Sequence, residues 1–121
     1  MTGMKVSTPF ASAPPIQMHE RDWATVRCIL REQIPDTEVW AFGSRARHQA
    51  KPYSDLDLAL ITQHPLSLAQ LANMTDAFES SDLPIRVDLV DWAAASEAFR
   101  AIIARDKVVV QTPCENAARA T

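Results

Sequence analysis

Asp55 and Asp57 stand two residues apart in the stretch DLDLALI, which alternates polar and apolar side chains as a half-buried strand does. On a strand such residues share a face, so both carboxylates point one way while Leu56, Leu58 and Leu60 point into a core. Aspartate is disfavoured in strands. Two of them within about 7 Å repel by roughly 2–3 kcal/mol at an effective dielectric of about 20. A hard divalent cation such as Mg²⁺, which prefers carboxylate oxygens, turns that cost into a binding site. A solvated edge strand is the plainer reading of an isolated Asp-x-Asp, because water cuts the repulsion to under about 1 kcal/mol.

Asp88 lies in a second alternating run, Ile85-Arg86-Val87-Asp88-Leu89-Val90, with Val87 and Leu89 on one face and Arg86 and Asp88 on the other. Parity makes Asp88 the candidate to join Asp55 and Asp57. It leaves Asp91, three residues on, as a helix cap. A surface aspartate paired with Arg86 is the competing reading.

The chain has two glycines, Gly3 and Gly43, and only Gly43 falls where a folded domain is expected. It follows a strand-like run, Glu38 to Phe42, and precedes Ser44. That is where backbone must turn sharply or approach a ligand closely. Exposed N–H groups and a hydroxyl after such a turn can hold phosphate oxygens, with Arg45 and Arg47 nearby. Taken alone, an ordinary serine-capped turn explains the same residues.

Four strands and three main helices are needed to position these groups. Trp23, Val26, Ile29, Leu30 and Ile34 recur at helical spacing and predict an amphipathic helix from Gln17 to Gln33, ended by Pro35. A brief helical turn is expected from Arg45 to His48. Ser67 is expected to cap a second helix with Leu68, Leu71, Met74, Thr75 and Phe78 on one face. A third, roughly Trp92 to Arg105, should turn Phe99, Ile102 and Ile103 inward, and Val108 to Val110 should close the sheet. The implied fold is α/β (α+β): a small mixed sheet with helices packed on one side. Residues 1–16 (Ser-, Ala- and Pro-rich) read as a flexible arm, 17–111 as the domain and 112–121 as a tail.

Composition narrows the function. Of the residues, 47% are hydrophobic and 22% charged, an ordinary globular balance. A formal charge of −3 argues against a general nucleic-acid binder. No apolar run is long enough to span a bilayer, and no signal-like segment opens the chain, so a cytoplasmic location is expected. Cys28 and Cys114 lie far apart, without zinc-ligand spacing, and read as a buried helix thiol and a spare one in the tail.

The combination is more specific than its parts: Gly43-Ser44, ten residues, Asp55-x-Asp57, then Asp88 thirty-one residues after Asp57. This pattern resembles the nucleotidyltransferase superfamily that includes DNA polymerase beta. With Gly43-Ser44-Arg45-Ala46-Arg47 and Ser54-Asp55-Leu56-Asp57-Leu58 it is more closely similar to the minimal nucleotidyltransferases, antitoxins that occur beside HEPN-domain toxins. His48 stands where that family often has glycine.

The resemblance implies a nucleotidyltransferase fold and ATP as co-substrate. It also implies Mg²⁺ on Asp55 and Asp57, with Asp88 completing a second metal site or helping to deprotonate the attacking hydroxyl. Gly43 and Ser44 would hold the terminal phosphates, and Arg45, Arg47 or Lys51 would offset developing charge. The acceptor would be a tyrosine hydroxyl of a HEPN RNase toxin. Trp92, Phe99 and the N-terminal arm are candidate contact surfaces, with core packing the plainer reading of the two aromatics. Two rivals stay open: an antitoxin acting by stoichiometric binding, and a transferase acting on a small hydroxylated molecule. Self-modification at Tyr53 is a weaker variant.

Overall fold

The computed structural model describes residues 13–113. In chain order its elements are helix α1 (Glu20–Gln33), strands β1 (Glu38–Phe42) and β2 (Leu56–Ile61), helix α2 (Leu68–Glu79), strand β3 (Val87–Asp91), a 3-10 turn (Trp92–Ala94), helix α3 (Glu97–Asp106) and strand β4 (Val108–Gln111). The sheet order is β3-β2-β1-β4. β1 runs antiparallel to β2 and to β4, while β3 runs parallel to β2, with α2 as the crossover that a parallel pair requires.

Alternation divides the sheet. Val39, Ala41, Leu56, Leu58 and Leu60 are fully buried and form one core with Trp23, Val26, Ile29 and Leu30 of α1 and Met74 and Phe78 of α2. These helices cover one face, as the apolar periodicity predicts. α3 lies against the other face, where Ile103 packs with Phe42 and Ala59, and Trp40, Ile61, Val90 and Trp92 surround them. The candidate carboxylates stand on this second face, beside a single short helix instead of under a helical layer.

Several local expectations change. Ile16, assigned to the arm, is 2% exposed and belongs to the core; the rest of the arm up to residue 12, and the tail from residue 114 with Cys114, lie outside the described residues. Leu68 and Thr75 of α2 are exposed, as are Phe99 and Ile102 of α3, because each helix meets the sheet along a narrow stripe. Cys28 is exposed, not buried.

Asp91 caps nothing with its side chain. Its carboxylate accepts from the Thr62 hydroxyl and from the Leu66 N–H at 2.7 Å, tying the end of β2 to β3. α3 begins later than the periodicity suggests, at Glu97, because Ser96 caps it by accepting the Phe99 N–H at 3.1 Å. α2 has its expected start, with Ser67 and Gln70 forming a reciprocal capping box.

Candidate active site

Asp57 sits near the start of β2, an interior strand of the sheet. It pairs in register with Asp88 on β3 and with Phe42 on β1, so Asp57 and Asp88 share a face on strands about 5 Å apart. Asp55 stands two residues earlier, just before β2 begins. Burial, then the charges of Asp88 and Asp55, push the Asp57 carboxyl up to about 6. The charges of Asp88 and Asp55 thus both reach Asp57, which makes ionising it costly.

The glycine belongs to the same locus. Gly43 follows β1 at φ +79, a left-handed conformation, and a Cβ there would collide with Asp57 Oδ2. Both requirements select glycine. Gly43→Ala should cost about 2 kcal/mol from the backbone conformation alone and should also displace the Asp57 carboxylate. A thermal melt and a transfer assay check both effects; an alanine variant as stable and as active as the parent would contradict this account.

Beyond Gly43 the chain makes one helix-like turn in place of a regular helix. The Arg47 N–H donates to Gly43 O at 3.1 Å and the Gln49 N–H to Ser44 O at 2.9 Å. The N–H groups of Ser44, Arg45 and Ala46 have no acceptor among the described residues. They form the donor end of the turn, the arrangement that favours anions. His48 takes φ +58, so the backbone keeps a glycine-like conformation with a side chain present.

The two arginines part company. Arg45 is 6% exposed, and its guanidinium donates to the carbonyls of Gln17 (2.8 Å), Ser54 (3.0 Å), Pro52 (3.1 Å) and Lys51 (3.4 Å). It was expected among the phosphate-binding groups, but its side chain is committed to these four carbonyls. Arg47 is 42% exposed at its side chain and donates from Nη1 to Asp106 Oδ2 at 2.8 Å. Sequence reading missed Asp106, and its one signal was an acidic residue closing a helix.

Asp88 rests 3.4 Å from Arg86, with its side chain 44% exposed. Among the described residues no group of three His, Cys, Asp or Glu side chains is already drawn together at metal-holding distances. A groove lined by Leu71, Phe78, Leu83, Ile85, Val87 and Asp88 follows the outer edge of β3 and reaches the site at Asp88. Tyr53 is 86% exposed. His19 and His64 are exposed too.

Residues 26–114 match the polymerase beta nucleotidyltransferase family. The chain belongs to that family. A Haemophilus influenzae relative, named probable protein adenylyltransferase MntA, is 49% identical to this nucleotidyltransferase over 96 residues, 79% of this chain and 84% of that protein. A crystal structure of a toxin–antitoxin with AMP-PNP superposes with a TM-score of 0.65 at 22% identity, covering 78% of this chain and 77% of the other. A minimal nucleotidyltransferase antitoxin, in complex with a tri-AMPylated HEPN toxin of Shewanella oneidensis, superposes with a TM-score of 0.61 at 22% identity, covering 78% and 73%. At that identity the likeness is one of fold. No helix among the described residues is long and apolar enough to cross a membrane.

Proposed function

We propose that this nucleotidyltransferase moves the AMP group of ATP onto a hydroxyl, a tyrosine of a HEPN-domain toxin, and thereby acts as that toxin's antitoxin. The observation that carries the reading is the in-register meeting of Asp57 and Asp88 with Gly43 packed against Asp57. Similarity to the Haemophilus influenzae adenylyltransferase supports the AMP donor and a protein acceptor. The fold shared with toxin–antitoxin complexes supports the partner.

The donors at the site suit Mg²⁺. They are carboxylate oxygens, and Asp57 bears a repulsion that a cation offsets. Asp55, Asp57 and Asp88 would hold the ion, which when bound neutralises charge on the triphosphate.

The chain's own groups do the rest. The N–H groups of Ser44, Arg45 and Ala46 donate to the terminal phosphates, and Gly43 lets the backbone come close enough to do so. Arg47 places positive charge beside them. Asp88, the carboxylate that reaches the groove, accepts the proton of the acceptor hydroxyl. The hydroxyl oxygen bonds to the α-phosphorus, the bond to the bridging oxygen breaks, and pyrophosphate leaves. Position and fixed charge supply most of the acceleration.

Incubation with α-labelled ATP, Mg²⁺ and a co-expressed HEPN partner should put label on the partner. Asp55→Ala combined with Asp57→Ala should abolish both labelling and neutralisation in cells. Neutralisation that survives the double change would establish stoichiometric inhibition instead, and label on a small molecule alone would establish the other rival.

A further inference from the structure

We propose that Asp106 is a positioning residue for nucleotide binding: from the end of α3 it holds the Arg47 guanidinium beside the phosphate-binding turn. The inference rests on the adenylyltransferase reading and extends it to a residue outside the family's motif.

Asp106 is the last residue of α3, where the negative end of the helix dipole disfavours an anion. A sequence shaped for helix stability alone would place a cation there. The carboxylate is nevertheless well covered, 7% exposed, and two arginines hold it: Arg47 Nη1 at 2.8 Å from one oxygen and Arg105 Nε at 3.2 Å from the other. The hydrogen bond from Arg105, with that from Arg47, holds its carboxyl below the usual range, so it is charged wherever the protein is active. Arg105 alone would satisfy the helix end. The contact with Arg47 is a further one, and it spans fifty-nine residues to reach the turn after Gly43.

Location gives that contact its use. α3 lies on the sheet face that carries Asp57, since the ring of its Phe99 meets Phe42 edge-on at 5.8 Å and Phe42 is in register with Asp57. Arg47 spends Nη1 on Asp106 and Nε on Gln49 Oε1 at 3.4 Å. Both N–H groups of Nη2 find no acceptor among the described residues, on a side chain that is 42% exposed. Arg45 is committed to the interior, which leaves Arg47 as the arginine of this turn with donors to offer. A guanidinium fixed at one nitrogen and free at the other loses less entropy when it meets a phosphate.

Binding of ATP with Mg²⁺, measured by calorimetry on the full chain, tests the proposal. Asp106→Asn should raise the Kd about tenfold and lower the melting temperature, because the two arginines that hold the carboxylate favour its charged form in the fold. Arg47→Ala should raise the Kd at least as much, and adding Asp106→Asn to it should change nothing more. The exchange Arg47→Asp with Asp106→Arg should restore the melting temperature but not the affinity. An unchanged Kd in Asp106→Asn overturns the proposal, as does a rise that persists in the Arg47→Ala background. Parent protein that binds ATP but labels no acceptor overturns the adenylyltransferase reading instead, and the Kd comparison still decides the role of Asp106.

Discussion

Asp57→Asn is expected to reduce transfer by at least about a thousandfold, the scale of losing a principal charge-stabilising group, while making the metal-free protein more stable at neutral pH. The two effects have one origin. Asp57 is partly buried between Asp55 and Asp88, and burial and repulsion raise its carboxyl to about 6 from an unfolded value of 3.8. Between those values the folded chain binds more proton than the unfolded one, so stability falls as pH rises from about 4 to about 6 and stays reduced above that.

Asparagine has the same shape and cannot ionise. With solvent screening of a half-covered site, the difference at pH 8 should be on the order of 2 kcal/mol. For a domain of this size that corresponds to roughly 8–16 °C in melting temperature. Melts in EDTA at pH 4 and pH 8 provide the check: the asparagine variant should gain on the parent only at the higher pH. Equal stability at both values would mean that Asp57 carries no uncompensated charge.

Arg45→Ala should be strongly destabilising. The side chain is buried, and four carbonyls from Gln17, Lys51, Pro52 and Ser54 converge on it. Those carbonyls belong to the segment before α1 and to the loop that leads into Asp55, so one guanidinium joins the turn after Gly43 to both. Hydrogen bonds to a charged donor contribute about 1.5–3 kcal/mol each, and acceptors left unpaired in the interior add their own desolvation cost.

A loss of about 4 kcal/mol or more is expected, a large share of the marginal stability of a small domain. In a melt this should appear as a fall of at least about 15 °C, or as failure to fold at 37 °C. Lysine should not rescue, because one ammonium cannot reach four carbonyls held in the plane of a guanidinium fork. An alanine variant within about 1 kcal/mol of the parent would show that Arg45 is instead a dispensable surface group.

What the sequence alone determined about this protein is whatever follows from short-range regularity. The alternation DLDLALI put Leu56, Leu58 and Leu60 inside, and the structure buries all three completely. Helical spacing picked out Trp23, Val26, Ile29 and Leu30, each of them in the core. Strand parity chose Asp88 over Asp91, and the pairing of β3 with β2 agrees. Such patterns are legible because backbone geometry repeats every two or 3.6 residues whatever the rest of the chain does.

Tertiary structure decided everything that depends on which segments meet. Arg45 and Arg47 are equivalent in sequence, two cations two residues apart, yet one faces inward to the Gln17 carbonyl and those of the following loop and the other outward to Asp106. Phe99 and Ile102 looked like core, but α3 touches the sheet mainly through Ile103. Asp91 looked like a cap and became a tie between β2 and β3 through Thr62 and Leu66. In each case the local pattern states what a side chain can do; which partner it meets depends on how the segments pack, and only packing brings that partner within bonding distance.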